Sequence, residues 1–115
     1  MNKPDDTPLP DIRLDEYGFF TDPQEWTHQR AERYARALGM GELTPAHWAV
    51  LEHVREHWLT HQAIQPAKLI CRAVELEDDC VWRLFGGPLE MWKVAGLPYP
   101  GLEAYTYMEN EEPAG

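Results

Sequence analysis

Prolines and glycines cut this chain into short pieces, and the cuts leave room for little besides a set of short helices. Ten Pro and eight Gly fall within 115 residues. Many stand where helix ends want them, Pro just inside a start and Gly just past a stop. Asp22-Pro23-Gln24-Glu25 reads as an N-cap, a first helical position and a capping box. Trp26, Arg30, Arg33, Tyr34, Ala37 and Leu38 follow at helical spacing, so a first helix is predicted over 23–38, stopped by Gly39. Thr44-Pro45 opens a second, with His47, Trp48, Leu51, Val54, Trp58 and Leu59 on one face, ending near Thr60 or His61. Pro66 opens a third, with Leu69, Ile70, Ala73 and Val74 inward, stopped by the acidic run 75–79. Asp78 or Asp79 caps a fourth over Cys80–Phe85, ended by Gly86-Gly87; Pro88 starts a fifth that ends at Gly96. Pro98, Pro100 and Gly101 then forbid a regular helix, and the rest is predicted to leave the body as an extended arm.

Ahead of the helices, Asp15-Glu16-Tyr17-Gly18 signals a turn before Phe19-Phe20, which suggests a small hairpin over about 12–20. The predicted fold is mainly α within an α+β class: a small N-terminal β element on a bundle of about five helices. The expected organisation is an acidic leader at 1–11, one helical domain at 12–98, and an arm with an acidic tail at 99–115. The net charge of -10 belongs mostly to the ends. Residues 1–16 hold five acids against Lys3 and Arg13, residues 103–115 hold four acids and no base, and the body between holds 11 acids against 8 bases. Five Trp and a 43% hydrophobic content are those of a chain that folds. With no apolar run near 18 residues and no h-region, a cytoplasmic protein without membrane segments is expected.

Few residues carry obvious chemistry. Two cysteines form no disulfide framework and no zinc spacing. Cys71 lies on or beside the apolar face of the third helix and reads as a small buried hydrophobe. Cys80 opens the fourth helix, where the helix dipole favours a thiolate and the acids at Glu75, Glu77, Asp78 and Asp79 oppose it. His53, His57 and His61 line one side of the second helix, but no HExxH or third-ligand motif joins them, so no metal is expected. Arg30, Arg33 and Arg36 form a stripe that is either solvated surface or a dock for an acidic partner or for this protein's own acidic tail. The second and third helices have helix-turn-helix spacing, which makes a DNA-binding regulator one alternative. Only Lys68 and Arg72 would face a groove, too few for a usual phosphate footprint, so nucleic acid is not the expected partner.

Taken in order, Asp15-Glu-Tyr-Gly-Phe-Phe20, Asp22-Pro-Gln-Glu-Trp26, Leu43-Thr-Pro-Ala-His-Trp48 with Val54-Arg55, Arg83-Leu-Phe85 with Gly87-Pro88, and Ala95-Gly-Leu-Pro98 with Pro100 resemble the DsrC/TusE family over about residues 12–102. The resemblance implies a small β element on about five helices, and a sulfur relay in which a cysteine near the end of a C-terminal arm accepts persulfide sulfur. A second family cysteine lies just ahead of the AGLP segment. Counted from Ala95–Pro98, those two positions hold Glu103 and Trp92 here. The expectation is therefore a cysteine-lacking, non-catalytic homologue that is no enzyme, has no catalytic residue and binds no cofactor. It would act as a regulator or adaptor by docking to a sulfur-relay or sulfite-reductase-like partner. Tyr99, Leu102, Tyr105, Tyr107 and Met108, with Arg30, Arg33 and Arg36, are the expected docking residues; the alternative for the arm side chains is that they fold back on the body. A sulfur carrier using a cysteine outside the family positions, Cys80, is the other alternative.

Overall fold

A computed structural model describes residues 11–113. Six α-helices follow one another: α1 His28–Ala37, α2 Pro45–His61, α3 Ala67–Ala73, α4 Cys80–Phe85, α5 Pro88–Val94 and α6 Leu102–Asn110. Helices α2 to α5 fall where the Pro and Gly punctuation places them. Thr44 caps α2 reciprocally, its side chain accepting from the His47 N–H while His47 Nδ1 accepts from the Thr44 N–H at 3.0 Å. Gln62, in a left-handed conformation at φ 54°, closes the same helix.

Three expectations are corrected. The single first helix is two pieces: Pro23–Glu25 forms one 3-10 turn, Trp26 is extended, and α1 starts afresh after Thr27. Both Asp22 and Thr27 can cap, and Thr27 takes the α-helix by accepting from the Arg30 N–H at 3.1 Å. The break turns Trp26 inward, where its Nε1–H donates to the Val94 carbonyl at 2.8 Å. The β element reduces, among the described residues, to one antiparallel bridge between Leu14 and Phe20. Its turn is held by Asp15, whose Oδ1 accepts from the Tyr17 and Phe19 N–H groups, both at 2.9 Å. The extended arm is helical over Leu102–Asn110 and folded back, with Met108 buried. Of the leader, residues 1–10 lie outside the described residues; Asp11 is held by Arg33 and Arg30.

The core is apolar throughout: no buried polar or charged residue is found among the described residues. Trp92, Leu51, Val50, Ile70, Val81, Val94 and Leu97 are at its centre. Trp92 is fully buried and satisfies its one donor on the Pro98 carbonyl at 2.7 Å. Arg55 crosses the edge of this core, donating to the Ala95 and Pro23 carbonyls at 2.8 and 3.0 Å with its guanidinium 4.3 Å from the Trp26 ring. Gly96, at φ +70°, has Trp26 so close that an added Cβ would lie 2.2 Å from Cδ1. Only glycine fits there.

Candidate functional site

The two cysteines meet. Ile70, Cys71 and Ala67 are the inward residues of α3, and Cys80, Val81 and Phe85 those of α4. The connection between the helices reverses the chain within six residues because Glu75 takes a left-handed conformation at φ 63°. The Leu76 N–H donates to the Cys71 carbonyl at 2.8 Å and the Cys80 N–H to the Glu77 carbonyl at 3.0 Å. Arg72 braces this turn with two hydrogen bonds to Asp78, at 3.0 and 2.8 Å, and holds the Asp78 carboxyl below its ordinary pKa. The result places the two Cα atoms 5.8 Å apart, inside the range a disulfide spans, and Cys71 and Cys80 are disulfide-bonded.

The two sulfurs have different surroundings. Cys71 is fully buried, whereas Cys80, 5% exposed, lines a surface cavity of about 160 Å³ with Ala46, Leu76, Glu77, Arg83 and Leu84. The cavity holds one cation and one carboxylate, Arg83 donating to Asp79 at 3.3 Å while Glu77 stands opposite in sign. It is wide enough for a small sulfur compound, since a water occupies about 30 Å³ of liquid.

The remaining expected residues are spread over other faces. Tyr99 and Tyr105 are half-buried and pack against Tyr17 and Phe19, with ring centroids 5.2 to 6.1 Å apart. Leu102, at 72% exposed, and Tyr107 face solvent, and Met108 is in the core. Glu103 is exposed on the first turn of α6. Arg33 grips Asp11 with two bonds at 2.8 and 2.9 Å, Arg30 donates to the Glu25 carbonyl, and Arg36 is exposed. His53 is bonded to Gln65 at 2.8 Å; His57 and His61 have centroids 4.9 Å apart. Partial burial, then the neighbouring imidazoles of His61 and His53, lower the His57 pKa. Among the described residues no group of three or more His, Cys, Asp or Glu is placed to hold a metal ion. In the helix-turn-helix reading, Arg72 is taken up by Asp78, which leaves Lys68 as the exposed cation of α3.

Sequence reasoning weighed the two cysteines one at a time and missed the pair. The signal was present in outline: two short helices joined by a tight turn, each with a cysteine against its apolar face.

The fold and the site define a small helical bundle with a disulfide-bonded cysteine pair at the edge of a cavity. The family follows from sequence: the model described as "DsrC like protein" matches residues 9–102. The chain belongs to the DsrC-like family. It is similar to Sulfurtransferase TusE of Sodalis glossinidius (strain morsitans), at 29% identity over 78% of this chain and 91% of the relative. It is also similar to Sulfurtransferase TusE of Shigella dysenteriae serotype 1 (strain Sd197), at 26% identity over 78% and 90%. Among solved structures, the oxidized gamma-subunit of the dissimilatory sulfite reductase (DsrC) from Archaeoglobus fulgidus superposes with a TM-score of 0.67 at 30% identity, covering 77% of this chain and 89% of that one. A structure titled dissimilatory sulfite reductase I (DsrI) superposes at 0.71, with 79% and 89% covered; at 19% identity that likeness speaks for the fold.

Two expectations change here. The sulfurtransferase names of the curated relatives overturn the expectation that the chain is no enzyme. The description as cysteine-lacking holds only for positions 92 and 103, which are Trp and Glu; the two cysteines the chain has, Cys71 and Cys80, are bonded to each other elsewhere. No helix of the described residues is long and apolar enough to cross a membrane.

Proposed function

We propose that this protein is a sulfur-relay component that takes sulfane sulfur from a protein donor, through its own thiols, while docked to a relay or reductase partner in the cytoplasm. The supporting observation is the cysteine pair at the α3–α4 turn, in a chain whose curated relatives are named sulfurtransferases. Disulfides in reducing compartments are usually transient and catalytic or redox-sensing, so a cytoplasmic setting favours chemistry over a static staple. Docking would use the solvent-facing side chains of α6, Leu102 and Tyr107. Aromatic side chains supply contact area at low entropic cost.

The test loads a sulfur-carrier protein with persulfide by means of a cysteine desulfurase and cysteine, then adds the reduced chain. The donor is expected to lose its added mass of about 32 Da, one sulfur per chain added. A donor that keeps its sulfur in the presence of the reduced chain rejects the relay role. Charging the docking face with Leu102→Asp and Tyr107→Asp together is expected to slow transfer from the protein donor and leave transfer from a small persulfide unchanged.

A further inference from the structure

We propose that the two cysteines divide the labour: Cys80 accepts the sulfane sulfur from a small persulfide entering the cavity, and Cys71 then expels that sulfur as hydrogen sulfide by closing the disulfide. This rests on the sulfur-relay reading and adds to it the acceptor, the resolving thiol and the product. The asymmetry of the pair carries the assignment. Cys80 lines the cavity and Cys71 does not, and Cys80 is 5% exposed against 0% for Cys71, so a reagent in the cavity approaches the pair from the Cys80 side. Cys71 is sealed behind it, within bonding reach of Cys80. Thiol exchange depends on which sulfur an incoming reagent can approach, and of the two Cys80 is the one on the cavity side.

The chemistry balances without a further reagent. In the first step the Cys80 thiol attacks the outer sulfur of a persulfide R–S–SH; the bond from R–S to that sulfur breaks, and Cys80–S–SH and R–SH result. In the second, the Cys71 thiol attacks the Cys80 sulfur. The Cys71–Cys80 bond forms, the bond to the outer sulfur breaks, and that sulfur leaves with both protons as hydrogen sulfide. The outer sulfur gains two electrons and the two cysteine sulfurs lose them. Run backwards, hydrogen sulfide opens the disulfide and leaves a persulfide on Cys80. The braced turn suits the second step, because the Leu76–Cys71 and Cys80–Glu77 backbone bonds and the Arg72–Asp78 pair keep the two thiols opposed when the disulfide is open.

Full-length protein is reduced, freed of reductant without air, and mixed with glutathione persulfide. The wild type is expected to release one hydrogen sulfide per chain and to finish about 2 Da lighter than the dithiol, as the disulfide. Alkylation at early times should trap the extra sulfur on the peptide containing Cys80. Cys71→Ala should keep a stable persulfide on Cys80 and release sulfide at least about tenfold more slowly; Cys80→Ala should take up no sulfur. Sulfur trapped on Cys71, or a wild type that accumulates persulfide without releasing sulfide, would overturn the assignment while leaving the relay role standing. A wild type that takes no sulfur from either the small persulfide or the protein donor overturns both. The early trapping and the sulfide measurement need only the wild type, so a variant that fails to fold does not rescue the proposal.

Discussion

At the scale of single residues, the Glu111 side chain ties the segment after α6 to the start of α3. Its carboxylate accepts from the Ala67 N–H, the first of α3, at 2.7 Å, and partial burial raises its pKa above the ordinary 4.5 in spite of that bond. A raised folded-state pKa means that the native state holds the proton more tightly than the unfolded chain does. The stabilisation is therefore complete below pH 4.5 and is lost as pH rises through the folded value. Glu111→Gln keeps an acceptor for Ala67 and removes the titration. Urea unfolding from pH 4 to 7 should show wild-type stability falling relative to the variant as pH rises; a constant difference would place the titration elsewhere. The site itself was half legible at this scale. The sequence places Cys71 on an inward face and Cys80 at a helix start, but their meeting depends on Glu75 adopting φ 63°, a conformation that β-branched residues avoid and that nothing about a glutamate announces.

Among the elements, α6 shows how packing overrides local signals. Gly101 precedes it, no side chain caps it, and Pro98 and Pro100 stand just upstream. Local rules therefore read an arm. Met108 in the core and Tyr105 against Tyr17, Phe19 and Tyr99 supply the stability that the local sequence lacks. Met108→Ala is expected to cost roughly 2–4 kcal/mol in chemical denaturation, with α6 becoming the first site of limited proteolysis. A loss below about 0.5 kcal/mol would mean that α6 is not docked in solution. The helices α2 to α5 were legible because each has its own start or stop in Pro or Gly, and their boundaries need little from the tertiary structure. The first helix was misread for the opposite reason, since two capping residues five positions apart competed and packing of Trp26 on Val94 and Gly96 decided between them.

For the molecule as a whole, a core with no buried polar group among the described residues has its one covalent cross-link at an edge, and that link spans only nine positions. Closing so short a loop restricts the unfolded chain modestly, by about 2–3 kcal/mol. Reduction is expected to lower stability by that amount and to leave the helix content at 25 °C unchanged, measured by circular dichroism with and without dithiothreitol. Collapse of the fold on reduction would instead make the disulfide a structural requirement, incompatible with a thiol that cycles. The family membership and the mainly helical bundle were legible from ordered motifs spread over residues 12–102. The cysteine chemistry was not, because those motifs direct attention to residues 92 and 103, where no cysteine stands.

Helix α3 has only seven residues, too few to persist alone, and it is tethered at both ends, by the Glu111 carboxylate on Ala67 and by Cys71 to α4. With the sulfur bond open, the Glu111 bond, the Arg72–Asp78 pair and the buried Ala67 and Ile70 still hold the helix, and its amide protection is expected to fall on reduction without being lost. The acidic residue after α6 and the thiols, far apart in sequence, hold the same short helix, and amide exchange across Ile70–Val74 is expected to respond to a change at either.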